Sequence, residues 1–302
     1  MRILRLSCSV LRLSLMVFLV LCAVRPALSV TTADEKPALD EPGSPESASR
    51  KKQREENLKA MAERAAGSRI RLAANDGKKN DKSQGRLIPQ PLFHYTDQPR
   101  QITDATLWGW TVDGRLLGIC KIENYEPNAH PEGVWLYCFG SLARELVEAE
   151  FPDGHTWSAR KPGIELRKFS GAPPAAEGRP ARLRQMKDIA GRFSATIVNA
   201  TASSSQEMRL LPRPIYRYER GVGELLDGTV FGLTTNGTSP DAVLVIELHQ
   251  SEQGAPDWKF GVAGMTQEQL SVKFDGKEIW SKPYVRFAGG FDTWTFFWEN
   301  QK

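Results

Sequence analysis

The chain has 302 residues, 40% of them hydrophobic and 25% charged, with 40 Lys and Arg against 36 Asp and Glu. That is the composition of a folded globular protein, and it excludes a polytopic membrane protein, a collagen-like chain and a wholly disordered one. Four cysteines are too few for a disulfide-dense scaffold.

Residues 1–29 read as a secretory signal peptide. Arg2, Arg5 and Arg12 form a basic front, and Leu13 to Val24 is an apolar run too short to span a bilayer as a helix. Ala27-Leu28-Ser29 places small residues at the −3 and −1 positions of a cleavage site. Cleavage there removes four Arg and no acid, so the mature chain carries 36 basic and 36 acidic residues and the formal excess of +4 belongs to the signal. Cys8 and Cys22 leave with it, and the mature protein keeps Cys120 and Cys138 in an oxidising compartment. Residues 30–46 form an acidic leader that reads as disordered, and 47–86 is basic, with 12 Lys and Arg against 5 acids.

Beyond the leader the chain reads as one module written twice. Arg86-Leu87-Ile88-Pro89-Gln90-Pro91-Leu92-Phe93-His94-Tyr95 recurs 123 residues later as Arg209-Leu210-Leu211-Pro212-Arg213-Pro214-Ile215-Tyr216-Arg217-Tyr218. The offset of 123 persists through Asp104 and Asp227, Gly109 and Gly232, Trp135 and Trp258, and Trp157 and Trp280. One shared Pro-x-Pro would be chance, but ordered anchors at one offset point to duplication. The modules are placed at 47–172 and 173–302.

In the first module, 49–66 has high helix propensity, with Leu58, Met61 and Ala65 as a thin apolar stripe. Its Lys and Arg interleave with Glu55, Glu56 and Glu63, which suits a solvated face with i,i+4 pairs rather than a polyanion site. A strand is expected near 69–74, a loop over 75–85 and strands from 86. In the second, Leu183, Met186 and Ile189 mark a helix over about 180–192, with Pro180 in its first turn and Gly191 at its end. Strands follow from 193. Asp-Gly or Asn-Gly steps at 76, 113, 153, 227, 236 and 275 suit hairpin turns. Val243–Leu248 and Phe291–Trp298 are apolar on both faces, as central strands are. Pro89 and Pro212 with their partners Pro91 and Pro214 belong on sheet edges or bridges.

The expected fold is therefore α+β, mainly antiparallel β: two tandem duplicated modules, each a helix packed on an antiparallel sheet, with a single all-β sandwich as the alternative. Cys120 and Cys138 fall on neighbouring strands around the 124–133 loop and form a candidate disulfide.

No catalytic constellation emerges. The four histidines have no metal-ligand spacing, Gly140-Ser141-Leu142 lacks the second glycine of a nucleophile elbow, and there is neither a P-loop nor GxGxxG. Catalytic residues are unassigned, and no metal or cofactor is expected. The anchors Pro89, Pro212, Asp104, Asp227, Trp135, Trp258, Trp157 and Trp280 read as architectural, with the two aspartates as turn or strand-end caps. Rows such as Trp108/Trp110 and Trp294/Phe296/Trp298 read as core.

The segments Arg182-Leu183-Arg184-Gln185-Met186, Leu211-Pro212-Arg213-Pro214, Asp227-Gly228-Thr229-Val230-Phe231-Gly232 and Phe291-Asp292-Thr293-Trp294-Thr295-Phe296-Phe297-Trp298 resemble an uncharacterised family of exported bacterial proteins. The resemblance covers most of 86–299 and implies export without an assigned activity. The functional expectation is a secreted or periplasmic, non-enzymatic binding or structural protein of the bacterial cell envelope. Its partner would be an envelope component or polymer, with no nucleic acid and no transmembrane segment after signal cleavage. The alternative is a hydrolase acting on an extracytoplasmic polymer in the cleft between the modules. Clustering of His94, His155 and acidic residues in one pocket would favour the hydrolase, and scatter would favour binding.

Overall fold

The computed structural model describes residues 48–73, 83–169, 171–199, 204–218, 223–235, 237–251, 254–286 and 291–299. The expected signal peptide (1–29), the leader (30–46) and most of the 75–85 loop lie outside the described residues.

In chain order, α1 (Ala48–Gly67) is followed by β1 (Arg69–Leu72), β2 (Arg86–Leu87), β3 (Phe93–Asp97), β4 (Ile102–Val112), β5 (Arg115–Tyr125), β6 (Trp135–Ser141), β7 (Val147–Glu150), β8 (Thr156–Ser158) and β9 (Arg167–Lys168). Then come α2 (Arg179–Ala190), β10 (Phe193–Asn199), β11 (Ser204–Leu210), β12 (Tyr216–Arg217), β13 (Leu225–Thr234) and β14 (Ala242–Ser251). The last strands are β15 (Gly254–Gly264), β16 (Gln269–Phe274), β17 (Lys277–Lys282) and β18 (Trp294–Trp298). The molecule is mainly β, and every strand pairing is antiparallel. Positive-φ Asp-Gly pairs make the tight turns at Asp113-Gly114 and Asp275-Gly276, because this left-handed conformation suits the twist of a two-residue hairpin. Asp227-Gly228 is not a turn. It lies inside β13, where Gly228 leaves room for the Tyr218 ring, which a Cβ would meet at 2.4 Å.

Three sheets result. The first runs β1-β7-β8, the second β18-β6-β5-β4-β2 with β3 also on β4, and the third β17-β16-β10-β11-β13-β14-β15-β9 with β12 on β13. β14 is central, flanked by β13 and β15. β18 is not. It pairs with β6 at the end of its sheet, and Phe296, Phe297 and Trp298 are only half-buried because that side has no further strand among the described residues. Pro89 and Pro91 link β2 to β3, which share the partner β4, as Pro212 and Pro214 link β11 to β12 on β13. These bridges need no N–H for a ladder.

The second and third sheets face each other. Leu107, Ile119, Leu136 and Cys138 from one meet Val230, Val243, Val245 and Met265 from the other in a shared apolar seam. Outside the seam, α1 and β1 cover one sheet through Met61, Ala65, Ile70, Trp108, Trp110 and Phe139. On the other side α2 covers Phe231, Leu244 and Ile246 through Met186, Ile189 and Ala190. Asn57, Met61 and Ala65 are the buried stripe of α1, four residues apart and so on one helix face. Lys52–Glu56 and Lys59–Glu63 pair at 3.8 and 4.0 Å on its exposed face.

Asp104 and Asp227 are not caps. Each is a buried anchor for a helix. Asn57 Nδ2 donates to Asp104 Oδ2 at 2.8 Å, while Arg182 Nε and Arg217 Nη2 both donate to Asp227 Oδ2 at 2.8 Å. Burial opposes ionisation of Asp227, but these guanidinium hydrogen bonds outweigh it and hold the carboxyl below its usual value of 3.8.

The expected pair of self-contained helix-on-sheet modules is corrected. Residues from Glu46 onward form one compact unit. β9, at the end of the first stretch, pairs with β15 of the second, and β18 at the end of the second pairs with β6 of the first. The chain therefore exchanges edge strands as well as sharing a seam, so neither stretch completes its own sheet.

The candidate disulfide is also corrected. Cys120 pairs with Phe139 and Cys138 with Lys121, so the thiols are one residue out of register and point to opposite faces of the sheet. Both are buried and free, Cys120 in the outer core and Cys138 in the seam. Burial pushes both thiols up, Cys138 to about 11.

Two expectations follow. Intact-mass measurement after alkylation in denaturant, without reductant, should show both thiols labelled; an unlabelled bridged pair would refute the register. Residues 48–172 produced alone should fail to unfold cooperatively in urea, because the seam face and the β6 edge would be open to water. A sharp, reversible transition would show that the exchanged strands are dispensable.

Candidate functional site

Two largely apolar strands each carry one buried glutamate toward the seam. Glu123 lies in β5 opposite Ala105, and Glu247 lies in β14 opposite Gly228. Around Glu123, the Tyr95 hydroxyl donates to Oε1 at 2.6 Å, Tyr125 to Oε2 at 2.9 Å and Ser239 to Oε1 at 3.1 Å. Lys121 Nζ sits 3.9 Å away and donates to Ser239 Oγ and the Pro240 carbonyl. Around Glu247, Tyr218 donates to Oε1 at 2.9 Å, His249 Nε2 meets Oε2 at 2.7 Å and Arg115 Nη2 lies 3.0 Å from Oε1.

The two sets correspond in part, for Lys121 two residues before Glu123 is replaced by Val245 two residues before Glu247. Tyr95 and Tyr218 stand 123 residues apart, and Tyr125 opposite Ile102 is answered by His249 opposite Leu225. Each glutamate also takes a partner from the other sheet: Arg115, at the β4–β5 turn, reaches Glu247, and Ser239, between β13 and β14, reaches Glu123. Burial opposes ionisation of Glu247, but the His249 hydrogen bond, the Arg115 charge and Tyr218 together hold it below its usual 4.5. Burial, with the nearby carboxylates adding to it, pushes the Tyr95 and Tyr218 hydroxyls far up, so they remain donors.

A cleft opens beside each hairpin. The first, of about 480 Å³, lies between Asp113, Arg115 and Glu145 on one side and Glu224, Leu225 and His249 on the other. The second, of about 360 Å³, lies between Thr235, Gly237 and Glu268 on one side and Asp97 and Arg100 on the other. Val112 and Thr235, Ala143 and Thr266, and Glu145 and Glu268 occupy corresponding walls at the 123-residue offset. In both, the hairpin end of one sheet meets the segment leading into the long strand of the other.

The chemistry of the linings differs. The first cleft presents Arg115 and the edge of the His249–Glu247 pair. In the second, Arg100 grips Asp241 with both terminal nitrogens at 2.8 and 3.0 Å. Burial weakens the charge of Arg100, but Asp241 more than restores it and raises its value. Asp97 lies against Gly237, where a Cβ would come within 1.9 Å of Oδ2.

The residues singled out in the sequence lie mostly elsewhere. Trp157 Nε1 donates to the Phe291 carbonyl and Trp258 Nε1 to that of Pro173, so both pin connecting segments. Trp135 lies under the Arg64 guanidinium at 4.2 Å, and Trp280 packs against the α2-side core. The histidines are scattered: His94 is 3.8 Å from Asp104, His130 packs on Tyr125 and Trp298, His155 pairs with Asp153 while stacking on Phe297, and His249 joins Glu247. Among the described residues no group of three or more His, Cys, Asp or Glu could hold a metal ion, and no helix is long and apolar enough to cross a membrane. Sequence reasoning passed over Glu123, Glu247, Asp97, Arg100 and Arg115. The signal for the first two was a lone carboxylate inside an apolar strand run, which needs a partner wherever it is buried.

Arg115→Ala leaves Glu247 buried without its arginine countercharge. Stability should fall by about 2–4 kcal/mol, measured as a lower urea midpoint, and adding Glu247→Gln should recover part of the loss. Asp227 and Glu247 both titrate below their usual values in the folded chain, so the stability they supply is complete above about pH 4.5. It should drain away as the pH falls through the lowered folded values. Melting temperatures from pH 6 to 2 check this; a curve flat to pH 2 would contradict the buried pairs. Comparison of the chain with protein-family models, with curated proteins and with solved structures finds no match.

Proposed function

We propose that this chain is an exported, non-enzymatic binding or structural protein of the bacterial cell envelope, built from two copies of one module. The signal-like 1–29 segment supports export. Duplication is supported by the constant offset together with corresponding pairings such as Ala105 with Glu123 and Gly228 with Glu247. The observation that carries the binding reading is the pair of clefts at corresponding places across the seam. A frame repeated with Glu145 and Glu268 in corresponding places but most of the lining changed presents two distinct recognition surfaces.

The scatter of the four histidines weighs against the hydrolase alternative, in which His94, His155 and acidic groups would converge. The His249–Glu247 pair at 2.7 Å, beside the first cleft, is a feature that supports a catalytic reading. It is held by Tyr218 and Arg115 in a role that stabilises the seam.

The mature chain, from residue 30, should co-sediment with isolated bacterial sacculi or outer-membrane vesicles and release no soluble fragments from them. Fragment release detected by mass spectrometry would establish the hydrolase, and absence of co-sedimentation with either would refute envelope binding.

A further inference from the structure

The second cleft contains a charge without a hydrogen-bonding partner. The Asp97 side chain is 1% exposed, and neither of its oxygens accepts a hydrogen bond. Its nearest cation is Arg100 Nε at 3.8 Å, and the terminal nitrogens of Arg100 are committed to Asp241. A buried carboxylate normally accepts several hydrogen bonds, since burying it without them is strongly unfavourable. Gly237 closes one side of Asp97 so tightly that a Cβ there would overlap Oδ2, and Asp97 stands among the residues that line the cleft.

The rest of the lining has the same bias. Asp97 and Asp241 face one guanidinium, that of Arg100, Glu268 adds a third acid to the lining, and the remaining wall carries hydroxyl and amide groups from Ser204, Gln206 and Thr266. The cleft volume of about 360 Å³ lies in the range of small-ligand sites. The corresponding first cleft sets Arg115 and Arg144 against Asp113, Glu145 and Glu224 and has no buried orphan carboxylate among its described residues, so the acidic bias is stronger in the second.

We propose that the second cleft binds a small organic cation carrying N–H donors, a primary ammonium compound, with Asp97 as its anchor. The Asp241–Arg100 pair fixes the floor, and the hydroxyl and amide groups at the wall take the polar remainder of the ligand. The proposal rests on the binding reading above and names the ligand class for one of its two clefts.

Isothermal titration of the mature chain with putrescine tests it, with tetramethylammonium as a cation of equal charge per nitrogen that lacks N–H groups. Putrescine should bind saturably, and tetramethylammonium at least about tenfold more weakly, since charge-assisted hydrogen bonds are what Asp97 offers. Asp97→Asn should weaken putrescine binding at least about tenfold, whereas Glu63→Gln on the outer face of α1 should leave it unchanged. No putrescine binding, equal binding of the two cations, or undiminished binding by Asp97→Asn would each overturn the proposal. If Asp97→Asn fails to fold, the comparison of the two cations on the native chain still decides. Loss of putrescine binding with retained co-sedimentation on sacculi would remove the ligand class and leave envelope binding standing; loss of both would remove both.

Discussion

Glu123 and Glu247 project from largely apolar strands into the space where two sheets must pack. A carboxylate in such a place is tolerated only when hydrogen bonds and a countercharge converge on it. Here each sheet supplies part of the answer for the other. Arg115 leaves its own hairpin to reach Glu247, and Ser239 leaves the opposite hairpin to reach Glu123. The apolar seam provides the bulk of the association, but it is non-directional. The crossed polar contacts fix where one sheet stops along the other, and thereby where the two clefts open.

The same requirement accounts for the interlocked edges. A sheet edge exposes N–H and C=O groups in a row, and both β6 and β15 would end this way if each stretch folded back only on itself. β18 covers β6 and β9 covers β15, with Leu136 opposite Trp298 and Lys259 opposite Lys168. Those positions on β6 and β15 are 123 residues apart, so the two edges are closed at corresponding points. The helices are attached more locally. Asp104 and Asp227 each stand early in a long strand and draw donors from the helix above, through Asn57 in one case and Arg182 in the other. The polar partner differs while the geometry is retained.

A good part of this was legible. The mainly antiparallel character followed from alternation and from Asp-Gly steps, and Asp113-Gly114 and Asp275-Gly276 do make positive-φ turns. Asp227-Gly228 has the same letters and sits inside a strand, because the glycine there answers to the Tyr218 ring packed against it rather than to a turn. That distinction depends on a residue ten positions away. The disulfide expectation failed for a comparable reason. Spacing placed Cys120 and Cys138 on paired strands, yet a single step of register separates the two faces.

The sequence by itself determined the properties set by local patterning. These are the helical stripe of Met61 and Ala65, the strand alternation, the bridging prolines and the spacing of 123 residues that relates Tyr95 to Tyr218. Tertiary structure alone decided which sheet each edge strand joins, which carboxylate each arginine neutralises, and that Asp97 is buried without a hydrogen-bond donor beside Gly237. Those outcomes depend on contacts between residues far apart in the chain, such as Lys168 with Lys259 and Leu136 with Trp298. No periodicity along the chain encodes them, because desolvation and hydrogen bonding act on distance in space.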